Sequence, residues 1–545
     1  MSRARPLAVA TVTVTALAAT LSLAACGDDT KDLAAADPAG KTLVYAHQQE
    51  PSCVFGGWIE QAYLSYQVLD SLTSLDENGK AVPWLATAWK QSADGLTWTF
   101  TLKDGVKFTD GTPVDAKAVV KNFDYWLGGG NSTAKVWLQG YYEKAVATSA
   151  DTVQIQLSKP YPQFAETVSQ GYFGIQSAQA LSKRSDEDNC QQPIGSGAFT
   201  VQQWNRGQDI VLKRNPNYTS WPANAKVKGP AQIETIDWKF VPDATTRATA
   251  LKTGEVDAIY DVSSIDVQPL QDAGFTYEKY VTGGRPQALT FNTQEGPFRD
   301  ENVRKAFAYS LDRKALVEAV GHGVIPFEPN GSVSQATTDY DSTAGTQYGL
   351  DVSKAGALLD KAGWTGRDGD GYRTKNGKTL EVVLPYSAGS IINAEGGSIL
   401  QGVAEQAKGT GFKVKLIPVP PSEAFAGAYT KPSERDIYPG YWTSIGSGIL
   451  YINWRQSTEK LPNGNNAAFY NSPELEGYIL KANSAKDPAV RKQYYSKAQR
   501  FIADKALAIG LYDRLSTLAV SPKVADVWQE HSQGGPVFHD AHFTD

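Results

Sequence analysis

Apolar and polar positions alternate along this chain in short strand-length runs, broken by helical stretches with clear start and stop residues. The most regular stretch is Leu289–Gly323, LTFNTQEGPFRDENVRKAFAYSLDRKALVEAVGHG. It predicts a strand ending at Asn292, a tight Gly296-Pro297 turn and a helix in two parts. Asp300 stands where an N-cap is needed, just before the first helical turn. Val303, Phe307, Ser310, Leu311, Leu316, Val317 and Val320 recur at helical spacing and form one apolar face. Asp312 caps the second half, and Gly321 ends it.

The same signals organise the rest. A first strand, KTLVYAH over 41–47, leaves into the polar loop Gln48–Cys53, and Ile59–Leu72 reads as a helix. Asn78-Gly79 marks a hairpin turn. Thr97–Leu102 and Thr152–Leu157 alternate as strands, and Asp115 caps a helix from Ala116. Up to Asn189 this is a small α+β lobe. PIGSGAF, Pro193–Phe199, opens a second strand series in which Gly195 and Gly197 allow close backbone approach. Asp243 caps Thr245–Thr253, Gly254 ends that helix, and Glu255–Tyr260 is a strand. Further on, Asp351 caps Val352–Ala362. The Gly-rich Arg367–Lys378 reads as a hairpin, because it lacks the Gly and Glu of a calcium loop. Leu380–Pro385, a helix over Ile399–Lys408 and Phe412–Pro418 form a βαβ-like unit. Helices over Ser472–Ala482 and Pro488–Lys505 precede a last strand, Ala508–Tyr512.

Length changes the picture first: 545 residues exceed one ordinary domain, so two or three lobes are expected. The net charge of −6 carries no block of like charge, so a nucleic-acid partner has no electrostatic footprint. Thirteen Trp and twenty-six Tyr against one Met make a rigid aromatic inventory suited to lining a ligand cleft.

The N-terminus sets the compartment. Arg3 and Arg5 precede an apolar run from Leu7 to Ala25, a secretory signal pattern. The run ends in Leu23-Ala24-Ala25-Cys26, which is similar to a bacterial lipobox. That similarity implies a signal peptide over 1–25, cleavage before Cys26, and a Cys26 carrying two acyl chains, enough for stable membrane attachment. Residues 26–40 then form a polar tether. No other run reaches spanning length. Cys53 and Cys190 remain in an exported chain, a pair suited to a disulfide, with two buried thiols as the alternative.

Enzyme signatures are missing: no GxSxG, HExxH, P-loop or CxxC occurs, and the Gly-Ser-Gly triplets at Ser196 and Ser447 lack elbow spacing. The chain is therefore expected to be no enzyme and to need no cofactor. Of the five histidines, His539 and His542 are closely spaced but lie beyond the last predicted strand, and His47 sits near the expected cleft. No metal site is assigned.

Taken in order, PWLATAW, DGLTWTFTLKDGVKFTDGTPVDAKAVV, PIGSGAF, ALKTGEVDAIY, FNTQEGPFRDENVRKAFAYSLDRKALVEAV and ALLDKAGW resemble the extracellular solute-binding proteins of family 5, the peptide/nickel-type receptors of ABC importers. The resemblance runs from residue 41 to the C-terminus. It implies an α/β, type II (cluster C) periplasmic-binding-protein-like clamshell, with two main lobes on a two-strand hinge and an extra small α+β subdomain. Lobe I would take 41–72, 190–282 and 507–545, lobe II 73–189 and lobe III 283–506, with crossings near Thr282 and Leu507. By motif, Gln49, Glu50, Tyr260, Tyr280, Tyr441, Trp442, Thr443 and Ile445 are the expected ligand-binding residues. In peptide-binding members the residue three after the Trp is an Asp that pairs with the ligand ammonium; here it is Ile445. Pro439 stands where some members carry an Arg. The implied function is that of a substrate-binding lipoprotein on the outer face of the cytoplasmic membrane. It would capture a peptide or peptide-like solute as a monomer and deliver it to a permease and ATPase. The alternatives are a receptor of the same fold for a neutral oligosaccharide, a siderophore-like compound or a nickel complex, and an extracellular hydrolase. Glu50 is the carboxylate left to meet an ammonium.

Overall fold

The computed structural model describes residues 42–56, 59–389 and 391–544. The signal segment, Cys26 and the tether lie outside the described residues.

Two sheets carry the α/β architecture. The larger has seven strands in the order Thr276–Val281, Leu515–Val520, Ala258–Tyr260, Thr42–His47, Thr235–Phe240, Asp209–Arg214 and Phe199–Asn205. Its centre is parallel: Thr42–His47 runs alongside both Thr235–Phe240 and Ala258–Tyr260. A central parallel strand is covered on both faces, which is why Leu43 to His47 are all buried despite the polar ends of the segment. The second sheet places Gly284–Phe291 between Ile437–Thr443 and Ala508–Tyr512. Every residue of Gly284–Phe291 is buried.

The chain passes between the sheets twice. Thr276–Val281 leads through Thr282 and Gly283 into Gly284–Phe291. The return crossing lies at Asp513 and Arg514, not at Leu507. Ala508–Tyr512 pairs antiparallel with Gly284–Phe291, with Ala288 opposite Gly510, and so belongs to the second sheet. Only from Leu515 does the chain pair with Thr276–Val281. An apolar run fits either sheet, so its hydrophobic pattern carries no information on which one it joins. The two crossings are tied directly: the Thr282 amide donates to the Arg514 carbonyl at 3.0 Å.

The expected small lobe contains a four-stranded antiparallel sheet in the order Ala86–Gln91, Thr97–Leu102, Thr152–Leu157 and Tyr142–Ala147. Its core continues into the helices Ile449–Trp454, Pro473–Ser484 and Pro488–Asp504. Lys159 Nζ donates to Tyr451 Oη at 2.8 Å, and Asn483 donates to Tyr141 Oη at 2.5 Å. The subdomain is thus packed onto residues of the 283–506 segment.

Local expectations follow from local hydrogen bonds. Asp300 accepts from the Asn302 amide at 2.8 Å, and Asp312 from Ala315 at 3.0 Å, producing helices Glu301–Tyr309 and Arg313–Gly321. The left-handed residue that stops the second is His322, φ 46°, rather than Gly321. Gly195 is required by crowding: a Cβ there would lie 2.1 Å from the Val68 carbonyl oxygen. Cys53 and Cys190 are bridged, with Cα atoms 5.0 Å apart. A closed loop of this length stabilises by at most about 5 kcal/mol on a chain-entropy model.

Candidate ligand-binding cleft

The crossings leave three neighbouring cavities. The first, about 60 Å³, lies beside the crossings and is lined by Gln48, Tyr260, Gln287, Tyr441 and Arg514 among others. Arg514 organises it. Nη2 donates to Tyr260 Oη at 2.5 Å, and the guanidinium also reaches Tyr63 Oη at 3.4 Å. The same guanidinium lies over the Tyr441 ring, 4.7 Å from its centroid. One buried cation therefore touches a helix and a strand of one lobe and a strand of the other. Behind it, His47 stacks on Tyr260 at 4.6 Å and lies 3.0 Å from Tyr45 Oη through Nδ1. Burial, and then the charges of Arg247 and Arg514, hold its pKa well below the usual imidazole range, so it is neutral. Arg247 fixes this edge, donating to the Tyr260 and Asp261 carbonyls at 2.9 Å each.

The second cavity, about 300 Å³, is walled by Arg285, Phe425, Arg435, Tyr438, Trp442 and neighbours. Arg285 and Trp442 stand opposite each other in adjacent strands. The third, about 570 Å³, opens between the loop Gln48–Ser52 on one side and Ala388, Gly389 and Pro421–Phe425 on the other. Phe425 lines the second and third cavities, and Ile391 the first and second.

The expected residues divide among these places. Tyr260 and Tyr441 line the first cavity, Trp442 the second, and Gln49 and Glu50 the third. Glu50 is already engaged: its carboxylate accepts from Trp204 Nε1 at 2.7 Å and the Gly207 amide at 3.0 Å, with Arg206 at 3.4 Å. Tyr280 is turned to the C-terminal segment, where its hydroxyl donates to the His531 carbonyl at 2.6 Å. Thr443 is buried opposite Gly284 in the sheet. Ile445 is half-buried in the turn that follows, and the Gln163 amide of the small subdomain closes on its neighbour Gly446. Sequence reasoning missed Arg285, Arg435, Tyr438, Phe425 and Arg514. The available signal was an arginine inside the apolar strand run GRPQALTF.

The other candidates are engaged structurally. Ser196 Oγ donates to the buried Asp70 at 2.8 Å, and Ser447 Oγ to the Thr338 carbonyl at 2.6 Å. His539 Nε2 lies 2.8 Å from the Gly229 carbonyl, and His542 Nδ1 3.6 Å from Asp526. Among the described residues no group of three or more His, Cys, Asp or Glu is assembled as a metal site, and no helix is long and apolar enough to cross a membrane.

Two sheets joined by paired crossings around a cleft define a type II periplasmic binding protein. In agreement, the fold matches the oligopeptide-binding protein AppA of Bacillus subtilis with a TM-score of 0.80, at 21% identity, over 92% of this chain and 99% of that one. Residues 80–460 match the model of the bacterial extracellular solute-binding proteins, family 5, and the chain belongs to that family. It is 30% identical to the nickel-binding periplasmic protein of Escherichia coli K12 over 381 residues, 67% of this chain and 68% of that protein. It is 27% identical to the probable D,D-dipeptide-binding periplasmic protein DdpA of the same organism, over 81% of this chain and 80% of that one.

Proposed function

We propose that this protein is the solute-capturing component of an ABC importer and that its ligand is peptide-like but lacks a free N-terminal ammonium. Family membership supports the first part. The observation that carries the second is that, among the described residues, the two larger cavities offer an ammonium no free carboxylate. Gly440–Trp454 contains no Asp or Glu, and Glu50 is committed to Trp204, Gly207 and Arg206. Asp261, Glu395 and Asp513 line the small first cavity, where Asn393 donates to Asp261 at 3.3 Å, the Ser264 amide donates to Glu395 at 2.8 Å and Gln335 donates to Asp513 Oδ2 at 2.7 Å, while Asp513 Oδ1 lies buried beside the return crossing. An ammonium buried without such a partner is strongly disfavoured.

The third cavity has walls from both sides of the cleft, so a solute in it would contact both and favour the closed state by its differential affinity. A nickel complex, the alternative ligand, would have to bring its own metal ligands, since the described residues assemble none. The decisive experiment is mass spectrometry of solute released on denaturing the purified protein, followed by rebinding in calorimetry. A released compound with a free α-ammonium would sink the ligand assignment, and failure of any released compound to rebind would sink the receptor assignment.

Ile445→Asp should restore a carboxylate three residues after Trp442 and improve binding of free-amine peptides, by about tenfold or more. A peptide panel showing no gain counts against the motif-based placement of the cleft. Lipid anchoring through Cys26 belongs to the same proposal: Cys26→Ser should move the protein from the membrane fraction to the soluble one, and continued attachment would refute it.

A further inference from the structure

Buried arginines in this fold fall into two kinds. Arg304 and Arg313 sit in packed core and give their guanidinium donors to main-chain carbonyls, those of Lys505, Phe298 and Arg299 for the first and those of Gly510, Tyr348, Pro329 and Gly345 for the second, with only Arg313 Nε left without a partner. Arg285 and Arg435 are different. Each is nine-tenths buried or more, at 4% and 5% exposure, yet both border the cavity of about 300 Å³. Arg285 donates to Asn453 Oδ1 at 2.7 Å and weakly to the Tyr441 carbonyl at 3.4 Å. Among the described residues Arg435 has one hydrogen-bond partner, the Ala467 carbonyl at 3.2 Å, and its guanidinium also lies over the Phe469 ring at 4.8 Å. The Nε atoms of both are buried without any hydrogen bond. The two guanidiniums lie on the ring of Tyr438, at 5.5 and 4.9 Å.

Among the described residues no Asp or Glu lines this cavity. Glu434, adjacent to Arg435 in the chain, pairs instead with Lys431 at 3.3 Å. Burial pushes Arg435 down to about 10, with the charge of Arg285 acting in the same direction against the stabilising Tyr438. Two like charges taken out of water without a counter-ion are costly, and a bound anion removes that cost. The planar guanidinium fork matches a carboxylate in particular.

We propose that this cavity receives a carboxylate of the solute, joined to an aromatic or otherwise apolar body. Trp442, Tyr386 and Phe425 supply the apolar wall. The proposal rests on the solute-binding reading of the cleft and sharpens it: the ligand lacks a free ammonium but carries an acid. Phe425 also borders the cavity that reaches Gln49 and Glu50, so a solute held by its acid extends toward the opposite side of the cleft.

The test uses hippurate, its neutral amide hippuramide and inorganic phosphate as probes, titrated calorimetrically into wild-type protein stripped by unfolding and refolding. Hippurate is expected to bind about tenfold or more tightly than hippuramide and to weaken as salt is added. Arg435→Gln should lose that preference, and Arg435→Lys should keep part of it. If Arg435→Gln does not fold, the acid-against-amide comparison in the wild type still decides. Equal affinity for acid and amide, no binding of hippurate, or phosphate binding as well as hippurate would each overturn the proposal. A recovered solute that rebinds but carries no acidic group would overturn it while leaving the receptor reading intact.

Discussion

Trp442→Ala is expected to weaken binding of the native solute by about 30-fold or more, roughly 2 kcal/mol, while leaving the fold in place. The strand that carries the indole is held by main-chain pairing. Ile437–Thr443 is hydrogen-bonded to Gly284–Phe291 along its length, with Trp442 opposite Arg285. Removing the side chain leaves those strand hydrogen bonds intact. Trp442 is only half-buried: it packs against the core shared with the small subdomain and also lines the cavity of about 300 Å³. The wall it supplies is large, rigid and next to a buried guanidinium, the setting in which truncation of one aromatic removes a large share of binding energy. Calorimetry with the solute released from the wild type measures the loss, and circular dichroism checks the fold. Unchanged affinity in a folded variant would remove Trp442 from the site and move attention to the cavity around Arg514.

Local features of the chain were legible, whereas features assembled from distant segments were not. Asp300 and Asp312 cap their helices because a cap is a contact between residues two or three positions apart, written directly in the sequence. Ala508–Tyr512 is recognisable as a strand, but its partner is chosen by tertiary packing, and pairing with Gly284–Phe291 moves the return crossing from Leu507 to Asp513. Tyr260 and Tyr280 pair with Leu518 and Ser516, two residues apart on one strand, and therefore share a face of the sheet. What separates them is cover supplied by His531, some 250 positions downstream of Tyr280, which takes its hydroxyl. The paired arginines are the extreme case. Arg285 and Arg435 lie 150 positions apart, and neither belongs to a motif. Only the folded cavity shows that no carboxylate accompanies them.

Replacing Glu328 with Gln is expected to flatten the loss of stability with rising pH. Glu328 is buried, with Oε1 accepting from the Asn330 amide and from Tyr340 Oη, both at 2.8 Å. Burial, and then the neighbouring Asp513 carboxylate at the return crossing, raise its pKa to about 8. The folded pKa thus lies above the unfolded value, so the folded state holds a proton that the unfolded chain releases. The resulting stability is complete below the unfolded carboxylate range and declines as pH climbs from there to about 8. At full linkage the slope is about 1.4 kcal/mol per pH unit. Asp70 and Asp436, both raised to about 6 chiefly by burial, impose a similar decline at lower pH. They are present in wild type and variant alike, and cancel in the difference between the two. The glutamine side chain of the variant cannot ionise, and its carbonyl can keep both hydrogen bonds. Its amide adds a donor near Asp513, whose Oδ1 has no hydrogen-bond partner. Melting temperatures measured by calorimetry from pH 5 to 9 should therefore diverge, with Glu328→Gln gaining on the wild type by several degrees at the alkaline end. Parallel curves would show that Glu328 is already ionised in the folded protein and that the crossing at Asp513 tolerates two adjacent buried negative charges.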